Sequence, residues 1–383
     1  MEQLTKSAEK KPLIMVLGMG DLSTRLLNML LGNPATNRVV LAGRDVETAR
    51  RRGNLARFTA TNLGLVGEVD AVHIDLYDVD ATAETLARVR PDIIFMGASL
   101  QSWRVITGLP KETFEELDEA QFGPWLPMHL TLNHLLMRAV RASGTGAKVV
   151  NAAFPDAVGP VLDKVGLAPT IGVGNVANIV PALTYGFADV LGADPAGLEL
   201  RLVAQHYFSH YVPRFGDAGK GAYHLSVHSG GRPVGEDIDH TTVFARLDGP
   251  LKRLGGIDGQ LLTASSAARV LIGMATDSGV LAHAPAPAGL PGGYPVRVGA
   301  EGGTVDLGDS LTLDTAIRLN EVCQRADGIE RIDDDGTVTF TEPEMAIMKR
   351  LIGYECRTMK LDDTAGWAEE LGAKYRDFRK KFA

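Results

Sequence analysis

The residues most able to do chemistry in this chain fall into three groups, and the first is Gly18-Met19-Gly20-Asp21-Leu22-Ser23. Gly18 permits a tight turn, Gly20 lets a pyrophosphate come close to the backbone, and Ser23 puts a small residue where a third glycine would pack helix against strand. If a helix starts here, its free amides and positive dipole end face the phosphates. A merely structural turn is the other reading of so short a pattern. The second group is Gly43-Arg44-Asp45, followed by Arg50, Arg51 and Arg52. An acid at this place accepts hydrogen bonds from ribose hydroxyls, as an NAD site requires, whereas the Arg44 guanidinium suits a 2′-phosphate. The residues favour NADP, with NAD as the alternative in which Asp45 takes the ribose. The arginine run reads as a solvated or phosphate-facing helix face.

Histidines form the third group: His206 with His210, and His224 with His228, each pair four apart. On a strand such pairs project to one face, but zinc or manganese needs two further close ligands, and no motif supplies them. No metal site is expected. A Gly-x-Ser-x-Gly element and a paired reactive cysteine are both absent, which removes the usual covalent hydrolase signatures. Lys and Arg number 39 against 47 Asp and Glu, a formal net charge of −8, so the chain is a poor nucleic-acid binder. Cys323 and Cys356 are far apart and fit a reducing compartment. The segment Met1–Lys11 is polar, without a signal-peptide core, and no apolar run is long enough for a bilayer. A cytoplasmic protein without membrane contact is expected.

These residues need elements to hold them. From Pro12 to Val150, short apolar β-rich runs (Leu13–Leu17, Val39–Leu41, Ala71–Ile74, Ile93–Met96 and Lys148–Val150) alternate with helical patterns such as Asp21–Leu31 and Leu126–Ala142. That alternation predicts an α/β architecture: a doubly wound parallel sheet, a Rossmann dinucleotide-binding domain, over residues 11–172. Residues 173–383 read as an α+β substrate domain. It would hold a helix at Val176–Leu191, strands at Leu198–Val203 and Ala222–Val227, and helices around Thr241–Leu254 and Thr263–Thr276. A Gly/Pro-rich connection spans Ala284–Gly308, a hairpin turns on Asp334-Asp335-Gly336, and a helix follows at Glu342–Arg357.

At the far end of the predicted sheet the order of residues becomes specific. Val149-Val150-Asn151, Pro155-Asp156, Gly172-Val173-Gly174-Asn175, Gly192-Ala193-Asp194-Pro195 and Gln205-His206 together resemble the lactate/malate dehydrogenase superfamily. The resemblance implies that Asn151 contacts nicotinamide and substrate, and that His206, eleven residues after Pro195, is the acid/base. Gly97-Ala98-Ser99 resembles the cofactor-contacting turn after the fourth strand, and Arg104 matches the approximate place of a mobile substrate-contacting arginine, or is an ordinary surface arginine. One residue more than the family pattern separates His206 from Val212-Pro213, so His210 competes for the catalytic role. The resemblance also implies a homodimer or homotetramer.

The departures from the family bear on substrate. Its orienting Asp and carboxylate-clamping Arg fall here on Ile179 and Ala182, which can do neither job. Asn175 and Asn178 are near enough in sequence to partner His206 instead. The Gln101–Pro127 region, with Trp103, Phe114, Phe122 and Trp125, is either a substrate lid or an extra docked helix. Together these residues imply an NAD(P)-dependent oxidoreductase acting on a small polar carbonyl or imine, or the matching alcohol or amine, that is not a standard 2-hydroxy acid. The other reading is a nucleotide-binding sensor or partner module without catalysis.

Overall fold

The computed structural model describes residues 11–102, 104–309 and 311–382, with Arg104 described by its backbone alone. The polar N-terminal residues up to 10, and Trp103 of the expected lid, lie outside the described residues.

The alternating apolar runs become β1 (Ile14–Leu17), α1 (Asp21–Leu31), β2 (Arg38–Gly43), α2 (Val46–Asn62), β3 (Glu68–His73), α3 (Val79–Val89) and β4 (Ile93–Met96). After α4 (Arg104–Thr107) and α5 (Lys111–Asp118) come α6 (Leu126–Ser143), β5 (Lys148–Asn151), α7 (Pro155–Asp163) and β6 (Ile171–Gly172). The six strands form one sheet in the order β3-β2-β1-β4-β5-β6, every described pairing parallel. Chain order reverses between β1 and β4, so the crevice beyond their carboxyl ends is where a dinucleotide is held in folds of this kind. Strand period decides the layers: Met15 and Leu17 pack on one face, with α3 and α6, while Ile14 and Val16 pack on the other, with α1.

The second region contains α8 (Val176–Leu191), β7 (Leu198–Ala204), α9 (His206–Phe215), β8 (Tyr223–Ser229), β9 (Arg232–Pro233) and α10 (His240–Asp248). It continues with α11 (Gly256–Thr276), β10 (Val280–Pro285), β11 (Gly293–Gly299), β12 (Gly302–Val305) and α12 (Leu313–Ala326). Its antiparallel sheet runs β10-β11-β7-β8-β9, with β12 beside β11. The stretch expected to be a Gly/Pro-rich connection is thus largely strand. Pro285 lies in the edge strand β10, where its missing N–H costs little. Gly293 is required because a Cβ there would lie 2.4 Å from Val176 and 2.7 Å from the Ala204 carbonyl. Loop composition here marks close approach of backbones, not irregular chain.

A third sheet of β13 (Ile329–Ile332), β14 (Val338–Phe340) and β15 (Thr358–Met359) follows, with α13 (Glu342–Ile352) and α14 (Thr364–Arg379). The expected hairpin is present, while the helix expected to reach Arg357 stops at Gly353, which adopts φ +74°. Phe340, Met348 and Tyr375 are buried in the same core as Met15, Trp125 and Leu130, so this C-terminal unit docks on the helix layer of the parallel sheet. Tyr375 also donates a 2.9 Å hydrogen bond to the Val105 carbonyl in α4. Ile106, Leu117 and Trp125 are buried in that core as well, so much of the segment after β4 is docked. Among the described residues no helix is long and apolar enough to cross a membrane.

Because one core spans both units, Phe340→Ala should destabilise the whole molecule by ~3–5 kcal/mol. Calorimetry should show one transition at lower temperature; a separate early transition for the C-terminal unit would show that the cores are independent.

Candidate functional site

β1 delivers the chain into Gly18, which has φ +88°; a Cβ there would sit 2.8 Å from Ala98. This close approach brings the turn after β1 against the turn after β4, and Gly97 N–H donates to the Leu17 carbonyl at 2.9 Å. Ser23 is fully buried beneath Gly97, where a Cβ would lie 2.6 Å from its hydroxyl, so it packs helix to strand. Gly18, Gly20, Asp21, Leu22, Gly97, Ala98 and Ser99 line a cleft of about 490 Å³ that continues to His206 and His210.

Beside it, a pocket of about 370 Å³ is lined by Gly43, Arg44, Asp45, Thr48 and Arg52. The Asp45 carboxylate caps α2, accepting from the Thr48 amide at 2.9 Å and from the Thr48 hydroxyl. Those bonds, the hydroxyl foremost, hold its carboxyl below the usual carboxylate range. Arg50 and Arg51 pair with Glu47 on the outer face, but Arg52 turns inward toward Thr24 and joins Arg44 on the pocket. The run read as one charged face is therefore divided by helical geometry.

His206 occupies the first position of α9, a helix where its pairing with His210 was read as strand-like. One turn apart, the two rings stack at 5.6 Å. His206 Nδ1 lies 3.2 and 3.1 Å from the two carboxylate oxygens of Asp327, which is buried. Gln205 fixes that acid from the other side: its Nε2 donates to Asp327 at 3.2 Å while its Oε1 accepts from the Tyr207 amide, capping α9. The expectation that Asn175 or Asn178 partners His206 is corrected. Asn175 donates to Asp156, and Asn178 donates to Thr263 at 2.9 Å. Ile179 is buried in the apolar core of the second region, and Ala182 packs against it.

Asp327 was not singled out in the sequence, where it stands in an unremarkable Ala326-Asp327-Gly328 junction between helix and strand. It is 121 residues from His206, and only the tertiary fold pairs them. Gly123 makes the approach possible, donating its N–H to the Asp327 carbonyl at 2.7 Å where a Cβ would lie 2.6 Å from that oxygen.

The electrostatics come from burial and these partners. Burial works to lower the His206 pKa, but the charge and hydrogen bond of Asp327, helped by Asp156 and Asp118, raise it overall. His210 goes the other way, lowered mainly by burial; its Nε2 lies 3.2 Å from Arg214 and 3.6 Å from Asp118. Asp156 is buried with Oδ1 unpartnered among the described residues, and burial pushes its carboxyl up to about 6.

Asn151 is fully buried, its amide turned onto the Ala153 backbone by bonds of 3.2 and 2.8 Å, and Ala152 and Ala153 line the cleft in its place. Arg104 begins α4. His129 on α6 is a cleft residue that sequence reasoning missed, because it sits within an apolar helical pattern. It is more than nine-tenths buried, and burial pushes its pKa down to about 3, so the ring is neutral. Phe122 packs against both His129 and His206, with ring centroids 4.9 and 4.7 Å away.

No protein-family model matches the chain, and no curated protein matches its sequence. Solved structures do match. The malate dehydrogenase of Cryptosporidium parvum superposes with a TM-score of 0.55 at 14% identity, covering 83% of this chain and 98% of that one. The lactate dehydrogenase of the same organism, complexed with lactic acid and β-nicotinamide adenine dinucleotide, gives 0.54 at 15%, covering 83% and 96%. The lactate dehydrogenase of Eimeria maxima with NADH and oxamate gives 0.55 at 14%, covering 84% and 93%. The fold is that of the lactate and malate dehydrogenases. Their likeness is one of backbone, so residue roles in this chain rest on its own geometry.

Asp156 supplies a test of the site's electrostatics. Its folded pKa of about 6 exceeds the unfolded value, so its contribution to stability is present at low pH and is lost as pH rises through about 6. Asp156→Asn cannot titrate. Its stability relative to the unmutated protein should therefore improve by about 1–2 kcal/mol between pH 5 and pH 8 in denaturant titrations. A difference independent of pH would show that this carboxyl is not desolvated.

Proposed function

We propose that the chain is an NAD(P)-dependent oxidoreductase with His206 as the group that gives or takes the proton. The observation that carries this reading is the continuity of one cleft from the glycine turn at Gly18–Leu22 to an imidazole backed by a buried carboxylate. The backbone of that turn would hold the pyrophosphate and the Gly97–Ser99 turn the adjoining part of the dinucleotide. A bound nicotinamide cofactor would supply hydride transfer. Asp327 accepts from Nδ1–H, which leaves Nε2 as the atom able to exchange a proton, and raises its basicity. Phe122 and Phe154 pack on the ring and hold it at a fixed tilt away from bulk water.

NADP is the favoured cofactor. Asp45 is spent on capping α2, while Arg44 and Arg52 both border the pocket beside it. Two guanidinium groups suit a 2′-phosphate better than a ribose diol. The substrate is a small polar carbonyl or imine compound, or the matching alcohol or amine. A standard 2-hydroxy acid is disfavoured, because Ile179 and Ala182, at the places where the resemblance would put an orienting acid and a carboxylate clamp, are apolar residues of the second region's core. Exposed Leu55 and Phe58 on α2, with Ile257 and Leu261 on α11, are consistent with a homo-oligomer.

Fluorescence titration should show NADPH binding at least ~10-fold more tightly than NADH, the worth of one charge-assisted contact, with Arg44→Ala removing most of the difference. Equal affinities in the unmutated protein would remove the NADP assignment, and no binding of either would remove the oxidoreductase reading.

His206→Asn should lower turnover by ~10²–10⁴-fold while leaving cofactor affinity unchanged. Asp327→Asn takes away the charge that raises the imidazole pKa, so the acidic limb of the pH–rate profile for oxidation should move to lower pH and maximal turnover should fall. Unchanged profiles in both variants, with cofactor still bound, would favour a non-catalytic nucleotide-binding module.

A further inference from the structure

The substrate end of the cleft is built from hydrogen-bonding groups whose orientation is fixed by what lies behind them. Asn175, on the cleft wall, is held at φ +48° and directs its Nδ2 into the buried Asp156 carboxylate. Reversing that amide would set oxygen against oxygen, so Oδ1 is the atom left for a ligand. Asn178, one helical turn on, donates its Nδ2 to Thr263, another wall residue; its Oδ1 is buried and has no partner among the described residues. Behind Asn175 lies Asp156, with a second carboxylate oxygen that is also buried and unpartnered among the described residues. Across the cleft His129 contributes a neutral ring, its Nδ1 likewise buried without a partner. This end of the cleft therefore offers the Asn175 amide oxygen in front of a carboxylate, with His206 as the titratable group that faces the same space.

The Asn175 oxygen, backed by Asp156, accepts a donor and disfavours a carboxylate set against it. We propose that the substrate carries a hydrogen-bond-donating group, a hydroxyl or an ammonium, on the carbon next to the reacting one. The protein then interconverts hydroxy- or aminoketones with the matching vicinal diols or amino alcohols. This rests on the oxidoreductase reading above and names its substrate class. In the reducing direction the carbonyl carbon gains a hydride from the reduced dinucleotide and the carbonyl oxygen gains the His206 proton, giving the alcohol and the oxidised dinucleotide. His206 then regains its proton from solvent.

The test uses the full chain with NADPH and three matched three-carbon ketones: hydroxyacetone, aminoacetone and pyruvate. Either of the first two should have kcat/KM at least ~10-fold above pyruvate, and comparing them separates hydroxyl from ammonium. Isothermal titration into the protein saturated with NADP⁺ should show the preferred diol or amino alcohol binding at least ~10-fold more tightly than lactate. Asn175→Gly, which keeps the positive φ and removes the amide oxygen, should weaken that binding ~10-fold, with the affinity for NADPH unchanged. Preference for pyruvate or lactate overturns the proposal, as does failure to use any of the three ketones while NADPH still binds; both leave the oxidoreductase reading standing. Failure to bind either reduced cofactor overturns both.

Discussion

The bond between Asp327 and His206 is the constraint on which the rest of the site depends. A buried carboxylate is costly unless its oxygens are satisfied, and here the imidazole and the Gln205 amide share that task. Gln205 in turn caps α9, so the start of that helix, the tautomer of His206 and the position of the acid are fixed together. The positive end of α9 adds a favourable field at the acid. Loss of any member leaves a buried polar group without its partner, so the three behave as one unit.

Two buried acids stand near the same imidazole, and their environments divide their roles. Asp327 has partners for both oxygens, whereas Asp156 has one bond, from Asn175, and a second oxygen left bare. The imidazolium charge helps keep Asp156 ionised. When His206 gives up its proton that support is lost, and Asp156 becomes readier to take a proton from elsewhere. Proton occupancy at the two sites is therefore coupled, and a titration followed at either residue reports the cluster rather than one group.

Local signals made most of the sheet legible. Strand–glycine–helix order at Leu13–Ser23 located the turn and its helix because each requirement lies within a few adjacent residues. The pocket beside Arg44 was legible for the same reason, although Arg52's inward turn depends on its position around α2. What escaped was non-local. The strands of residues 280–305 were hidden because their glycines serve close packing, Gly293 against α8 and β7 and Gly303 against Ile171 of β6, and His206–Phe215 was obscured because its two histidines fit helix and strand periods alike. His129 sits in a helix whose apolar pattern gave no reason to separate it from the core. Asp327 could not be foreseen at all, since nothing in a helix-terminal acid says which histidine it will meet.

Asp327's position also changes what the C-terminal unit is for. The acid that partners His206 stands at the junction of α12 and β13, and Ile179 and Leu183 of α8 pack as ordinary core residues. The backbone at Asp327 and Gly328 is held instead by Gly123 and by Thr341, residues on either side of the shared core. Thr341 begins the helix that buries Met345 and Met348, and Gly123 leads into the turn that buries Trp125. Forces that dock the C-terminal unit on the parallel sheet thus reach the Asp327–His206 pair through two hydrogen bonds and one missing Cβ. Packing more than 300 residues along the chain from the glycine turn consequently helps decide where the imidazole stands in the cleft that it shares with that turn.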